Sequence, residues 1–147
     1  MTKTDGGGSV ISIFQEDKLL EFKIIKEELR RIVPSGMNPD EFLLVGARYI
    51  KLWQFLIFFD DKYEGYFRTT PVSLILALDE EIIDSCFIPN THYLAIVTNL
   101  NNIHFMKMDV HLQILKIEIP PLGIETEETA FLVSCLCPVE NGYAISF

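Results

Sequence analysis

The fold is decided by residues 82–119, which read IIDSCFIPNTHYLAIVTNLNNIHFMKMDVHLQILKIEI. Short apolar runs alternate in this stretch with linkers that are rich in Asn, Asp and Pro, and such linkers favour turns. The pattern predicts four antiparallel strands joined in chain order, at residues 82–88, 93–98, 103–108 and 112–119. The stretch is therefore interpreted as one four-stranded meander.

The second and fourth predicted strands differ in their apolar pattern. Residues 93–98 are apolar at consecutive positions, as expected where both faces of a strand are buried. Residues 112–119 alternate instead, with Lys116 and Glu118 between apolar neighbours, as expected of an outer strand that faces solvent. An inner-to-outer gradient of this kind is typical of one blade of a β-propeller.

Parts of this unit recur along the chain. The segment SCFIP at residues 85–89 is matched by SCLCP at 134–138, and LAI at 94–96 by YAI at 143–145, both at an offset of 49. Residues 42–53 match the second and third strands at an offset of about 51, with a shorter turn. Propeller blades repeat at roughly 40–50 residues and need neighbours to cover their faces. The sequence therefore predicts an all-β fold in the form of a partial propeller.

Two segments resemble the third strand of WD40 repeats, in which a small or polar turn leads into a strand that closes near Trp-Asp. They are GSVISIF at residues 8–14 and ARYIKLWQ at residues 47–54, where Gln54 stands in place of the Asp. The Gly-His pair of those repeats is absent, so the chain is similar to a divergent WD40 propeller. Residues 42–48 and 82–89 are also similar to the opening blades of the WD-repeat scaffold that partners a tRNA 2′-O-ribose methyltransferase. The resemblance implies a non-catalytic scaffold that binds proteins, with such a methyltransferase as one candidate partner.

The repeat divides the chain into a flexible lead at residues 1–9 and a WD40-like propeller segment at residues 10–147. We expect a half blade at each end and two full blades between them, at residues 10–26, 29–78, 82–119 and 130–147. The 29–78 blade would include strands at residues 66–70 and 72–78. Known propellers have roughly 4–8 blades, so we expect the remaining blades in a longer protein or in another chain. The uncovered ends should then expose apolar faces, at Val10, Ile11 and Ile13 and at Phe131, Val133 and Cys135.

Composition and charge argue against some classes of function for this chain. The 147 residues carry a net charge of −9 with only 12 Lys and Arg, which argues against direct nucleic-acid binding, because phosphate contacts depend on those residues. Three cysteines without a secretory signal fit a reducing setting, either cytosolic or nuclear. The most apolar window, residues 50–59, is far shorter than the roughly 20 residues that a membrane helix needs. We therefore expect a cytoplasmic protein with no membrane segment.

Residues 18–31 allow two interpretations. Leu19, Phe22, Ile25 and Leu29 fall at helical spacing in a region rich in Leu, Lys and Glu. The repeat register predicts an outer strand there instead, and we favour the strand because tertiary context overrides weak propensity. The helix would make the chain a stand-alone small α+β domain, with room for an enzyme site too scattered to recognise.

The sequence predicts no catalytic, cofactor-binding or metal-ligating residue. Its only histidines are His92, His104 and His111, and none falls at a spacing typical of metal ligands. His92 and His111 are expected in turns and His104 in a strand, where an ordinary surface or hydrogen-bonded role explains each of them.

Cysteines and acidic residues have equally plain interpretations. Cys135 and Cys137 would share one face of a strand, and two thiolates alone do not complete a zinc site. Cys86 occupies the repeat position of Cys135, which favours a packing role. Acidic segments at residues 79–81 and 125–128 precede equivalent strands, where solvation explains them most simply and a surface for a basic partner is the alternative.

Overall fold

The computed structural model describes residues 2–3, 8–15, 17–36, 38–56, 66–119, 134–140 and 142–146. Every element of secondary structure among them is a β-strand, so the predicted all-β fold is confirmed. The strands are β1 (Thr2–Lys3), β2 (Ser9–Gln15), β3 (Lys18–Ile25), β4 (Arg31–Pro34), β5 (Glu41–Val45), β6 (Ile50–Leu56), β7 (Tyr66–Pro71), β8 (Ile82–Phe87), β9 (Tyr93–Thr98), β10 (Asn102–Lys107), β11 (Leu112–Glu118), β12 (Cys135–Val139) and β13 (Gly142–Ser146). Within these residues no helix is long and apolar enough to cross a membrane.

The named strands pair antiparallel and form four sheets that follow one another along the chain. The first sheet has the order β1-β2-β3, the second β4-β5-β6-β7, the third β11-β10-β9-β8, and the last is the β12-β13 hairpin. Thr2 and Lys3, which the sequence placed in the flexible lead, pair with Val10 and Ser9.

The first sheet decides between the two interpretations of residues 18–31. β3 pairs with β2 along its length, so the strand interpretation is confirmed and the helix, together with the α+β domain built on it, is wrong. The helical spacing of Phe22 and Ile25 misleads because the two residues lie on opposite faces of one strand. Ile25 is buried, whereas Phe22 is exposed.

The third sheet is the predicted meander, and each of its strands ends within one residue of the predicted position. Residues 94–98 in β9 have no exposed surface, so the predicted burial of both faces of this strand is confirmed. The turns use left-handed backbone at Asn90, Asn101 and His111, with φ of 59°, 56° and 51°. Asn tolerates this region better than most residues, which explains the Asn-rich linkers.

The second sheet ends in a connector where a strand was predicted at residues 72–78. After β7 a single bridge, from Ser73 to Leu112, joins the connector to a strand. Alternate side chains from Val72 to Leu76 pack into the core between the second and third sheets. The prediction of a strand here is wrong, because extended backbone that covers a core produces the same apolar alternation without forming a ladder.

Three apolar clusters lie between successive sheets, so the four sheets stack in chain order. The cluster between the first and second sheets contains Ile11, Ile25, Leu29, Leu44 and Trp53. The cluster between the second and third contains Val33, Leu43, Val45, Ile50, Leu52, Val72, Ile82, Phe87, Leu94, Ile96 and Met106. The cluster between the third sheet and the last hairpin contains Cys86, Ala95, Val97, Ile103 and Leu136. Burial of apolar side chains on both faces stabilises the middle sheets, by roughly 1.5–3 kcal/mol for each large side chain.

The 49-residue repeat preserves the direction of each side chain. Leu136 and Ile145 pack toward the third sheet, as Phe87 and Ile96, 49 positions earlier, pack toward the second. The repeated positions therefore have the same place in successive sheets.

The weaker match at an offset of about 51 needs a correction. Leu43 faces the following sheet, whereas Leu94, which lies 51 positions later, faces the preceding one. A shift of one residue turns every side chain of a strand to the opposite face. Here an even offset preserves the faces, as 52 does when it aligns Phe42 with Leu94.

Both ends of the stack present an open face. On the first sheet the exposed large apolar side chains are Phe14, Leu19, Phe22 and Ile24, which we call the first outer face. On the last hairpin the exposed side chains include Cys135, Cys137 and Val139, which we call the last outer face.

The faces predicted at the two ends are partly corrected. Ile11 is buried and Ile13 packs on the same cluster, because both point inward to the second sheet, and Val10 is half-buried. Cys135 is exposed as predicted. Phe131 and Val133 lie outside the described residues.

Candidate functional site

A cleft of about 390 Å³ opens between the second and third sheets, and we call it the inter-sheet cleft. Its lining consists of Ser35, Glu41, Leu52, Gln54, Thr70, Phe87, His92, Met108, Asp109 and His111. In an antiparallel meander alternate turns meet at the same end of the sheet, which brings the turns at residues 89–92 and 108–111 together. The Met108 N–H donates a hydrogen bond to the His92 carbonyl at 2.8 Å and holds these two turns in place.

The cleft has an apolar floor and a polar rim. Leu52 and Phe87 are buried in the core between the sheets, and Met108 packs against that core. On the second-sheet wall, Nε2 of Gln54 donates to Oε1 of Glu41 at 2.5 Å. The cleft therefore combines an apolar floor with a carboxyl group at its rim.

The third-sheet wall carries a second carboxylate. Nζ of Lys107 lies 3.1 Å from Oδ2 of Asp109. The hydrogen bond from Lys107 is the main reason that the pKa of Asp109 lies below its usual value. The cleft therefore has a carboxyl group on each wall, Glu41 on one and Asp109 on the other.

At the opposite end of the third sheet, Glu80 is buried at the centre of a polar network. Oε1 of Glu80 accepts hydrogen bonds from Thr98 Oγ1 at 2.8 Å, Asn102 Nδ2 at 2.7 Å and His104 Nε2 at 2.9 Å. Oε2 accepts from the Ala77 N–H at 2.9 Å. Both Glu80 and His104 are fully buried.

These hydrogen bonds determine the charge of Glu80. Burial alone would raise its pKa, but the hydrogen bonds from the Ala77 N–H, His104, Asn102 and Thr98 outweigh burial and lower the pKa to about 2. A buried carboxylate is costly unless its oxygens are paired, and here both are. Glu80 is therefore a structural anion that fixes the connector on the third sheet.

A chain of hydrogen bonds extends this network to the connector. Nδ1 of His104 lies 2.6 Å from Nε2 of Gln113, and Oε1 of Gln113 accepts from the Ile75 N–H at 3.0 Å. Because an amide nitrogen only donates, His104 accepts at Nδ1 and donates from Nε2 to Glu80. This assigns the neutral Nε2–H tautomer to His104.

Asp84 ties three sheets together. Its Oδ2 accepts from the Leu136 N–H of the last hairpin at 2.8 Å, and its Oδ1 accepts from the Ser85 N–H at 2.8 Å and pairs with Arg31 of the second sheet. Arg48 acts similarly at the connector, where its guanidinium donates to three carbonyl groups, those of Ala77, Leu78 and Glu80, each at 2.7 Å. The arginine and aspartate side chains thus fix how the sheets stack.

The histidines lie in the elements expected of them. His92 and His111 lie in turns and line the inter-sheet cleft, whereas His104 lies in β10 and is hydrogen-bonded on both ring nitrogens. Among the described residues no group of three or more His, Cys, Asp or Glu could hold a metal ion.

The three cysteines differ in their exposure to solvent. Cys86 is buried between the third sheet and the last hairpin, and its packing role is confirmed. Cys135 and Cys137 share a face as predicted, but both are exposed. The repeat explains the difference, because the equivalent face is covered by a following sheet at Cys86 and is open at Cys135.

The prediction that the acidic segment at residues 79–81 is solvated is wrong for Glu80, which is buried. Asp79 is exposed as expected. The side-chain partners of Glu80 lie 18, 22 and 24 positions later, so the neighbouring side chains in the sequence give no sign of its burial. The available signal is the set of polar residues Thr98, Asn102 and His104 in or beside apolar strands, since buried polar groups require partners. The segment at 125–128 lies outside the described residues.

The sequence matches no model of a known protein family, and no curated protein matches it. The features of the molecule that bear on its function are therefore the stack, its outer faces and the cleft.

Proposed function

We propose that the chain is a non-catalytic scaffold that binds other proteins through the outer faces of its sheet stack. The first outer face carries the proposal, because its four large apolar side chains are between 47% and 62% exposed. The opposite face of the same sheet packs into the core. Sheets that are apolar on both faces are typical of buried sheets, and exposed apolar patches mark sites of association.

The repeat supports a divergent WD40-like propeller as the architecture of this scaffold. Positions 49 residues apart point the same way in successive sheets, and repeat proteins gain stability when each unit is covered by its neighbours. An outer face is thus the half of a sheet-to-sheet contact that a neighbouring unit or a partner protein would complete.

The proposed partner is a protein, with a tRNA 2′-O-ribose methyltransferase as the specific candidate. The resemblance of residues 42–48 and 82–89 to the scaffold of such an enzyme supports this choice. The net charge of −9 favours contact with the enzyme over direct contact with RNA. The three free cysteines are compatible with the proposed cytoplasmic location.

Affinity capture from cytoplasmic extract tests the scaffold proposal with three baits. They are the wild type, a double variant with Phe22→Asp and Ile24→Asp on the first outer face, and a control with Ile75→Asp, whose side chain is 81% exposed on the connector. We expect a stoichiometric partner with the wild type and the control and its loss with the double variant. Recovery of a tRNA 2′-O-ribose methyltransferase would support the specific candidate. Equal recovery with all three baits, or no stoichiometric partner, would contradict the proposal.

A further inference from the structure

We propose that the inter-sheet cleft binds the guanidinium group of an arginine side chain. The inference rests on the proposed function, since the arginine would belong to the protein that docks on the scaffold. It also names a second contact, away from the outer faces, that selects partners by their charge.

The shape of the cleft suits a long side chain with a charged end. Its floor of Leu52, Phe87 and Met108 offers apolar surface between the two sheets. An arginine side chain can pack its aliphatic part along such a surface while its charged end stays at the rim. The ring of Phe87 forms part of the floor along which the aliphatic part would pack.

The charge of the rim selects a cation. Glu41 on the second-sheet wall and Asp109 on the third-sheet wall place carboxylates on both sides of the opening. Lys107 offsets part of the charge of Asp109, while the Glu41 carboxylate is bonded by the neutral amide of Gln54. A carboxylate accepts several hydrogen bonds, so Glu41 keeps capacity for a further donor. The chain charge of −9 attracts a cation at longer range.

Arginine fits this rim better than lysine. A guanidinium presents five N–H donors in a flat fork and can reach acceptors on two walls, whereas an ammonium is a compact point charge. Ser35, Thr70 and Gln54 also line the cleft, and each carries a side-chain oxygen that can accept from an N–H donor.

The walls of the cleft are held in place before any ligand binds. Glu41 and Gln54 face each other as partners in the β5–β6 ladder, and the Met108 N–H bond to the His92 carbonyl fixes the turns of the third sheet. A rigid site loses less conformational entropy on binding, which favours even a small ligand.

Saturation-transfer NMR with Nα-acetyl-arginine methylamide tests the proposal, because the method works whatever the assembly state of the protein. The neutral citrulline analogue and the lysine analogue are the comparison ligands. We expect saturation transfer to the arginine amide, weaker transfer to the lysine amide and none to the citrulline amide. Equal transfer to the citrulline amide would overturn the charge-based site, and equal binding of the lysine amide would overturn the choice of arginine.

Variants then locate the binding. Glu41→Gln and Asp109→Asn should each weaken arginine-amide binding, by about tenfold for Glu41 because a charge-assisted hydrogen bond is lost. The matched control is Glu140→Gln, which removes the same charge from the exposed turn of the last hairpin and should leave binding unchanged. Equal binding by all variants would show that the cleft is not the site.

The two proposals can fail separately. If the arginine amide does not bind while the first-outer-face variant still loses its captured partner, only the cleft assignment is contradicted. If the amide binds in the cleft while capture does not depend on the outer face, the scaffold proposal alone is contradicted.

Discussion

The carboxylate of Glu80 lies 2.9 Å from Nε2 of His104, and neither side chain reaches solvent. Glu80 belongs to the connector from the second sheet, whereas His104 belongs to β10 of the third. Their contact, reinforced by Thr98 and Asn102, fixes the connector on the third sheet by buried polar bonds.

Replacing Glu80 should make the free energy of unfolding depend less on pH in the acidic range. The pKa of Glu80 is lowered from 4.5 to about 2, so ionised Glu80 stabilises the folded chain fully above pH 4.5, and this contribution disappears as the pH falls toward 2. The shift corresponds to roughly 3 kcal/mol. Urea unfolding should therefore show a difference in free energy between the wild type and Glu80→Gln that is large at neutral pH and shrinks below pH 4.5.

Glu118→Gln is the matched control, because Glu118 is exposed at the end of β11, and it should change the free energy of unfolding little at any pH. A wild-type advantage over Glu80→Gln that stays constant down to pH 3 would show that ionisation of Glu80 does not stabilise the fold.

Truncation of Ile96 should destabilise the fold strongly. Ile96 is fully buried at the centre of β9, so Ile96→Ala loses burial and leaves a cavity, at a cost of about 2–5 kcal/mol. The same substitution at Ile114, which is 47% exposed in β11, should cost under about 1 kcal/mol. Chemical denaturation measures both values, and similar losses at the two positions would contradict the burial of β9.

Asp84→Asn should loosen the last hairpin more than the third sheet. The change removes the charge that pairs with Arg31. It also leaves one acceptor oxygen where aspartate has two, so the side chain cannot accept from both the Leu136 N–H and the Arg31 guanidinium. Hydrogen exchange should speed up at the Leu136 amide while the amides of β9 remain protected. Uniform acceleration across the chain would mean that Asp84 does not act locally on the hairpin.

The rates of cysteine labelling should differ between the buried Cys86 and the exposed Cys135 and Cys137. Burial raises the pKa of the Cys86 thiol, and the same burial blocks access to it. Iodoacetamide at low protein concentration should therefore modify Cys135 and Cys137 in the native chain, and Cys86 only after unfolding. Mass spectrometry of the labelled peptides gives the rates, and equal rates at all three sites would contradict the cover of Cys86 by the last hairpin.

The fold of the third sheet could be predicted from the sequence because its information is local. Consecutive apolar residues at 93–98 and turn-forming asparagines at 90 and 101 define strands and turns without distant partners. The connector at residues 72–78 could not be separated from a strand, since alternation reports which side is buried and not whether a neighbouring strand pairs. Phe22 and Ile25 could not be oriented, since helical spacing also occurs by chance across the two faces of a strand.

The candidate site was less predictable, because it depends on contacts between distant residues. The Glu80 network joins residues 18–24 positions apart, and the inter-sheet cleft joins Glu41 to Asp109 across two sheets. His92 and His111 were expected in turns of the meander, but only the stacking of the second sheet shows that these turns line a cleft.

If the outer faces of the sheet stack are surfaces of association, the purified chain should bind to itself. Sedimentation velocity over a wide range of concentration measures this self-association. Salt of about 0.15 M limits repulsion between chains of net charge −9 to a reach of about 8 Å. We expect the wild type to self-associate as its concentration rises and the Phe22→Asp, Ile24→Asp variant to stay largely monomeric. A wild type that remains monomeric throughout, with the same sedimentation coefficient as the variant, would contradict the claim.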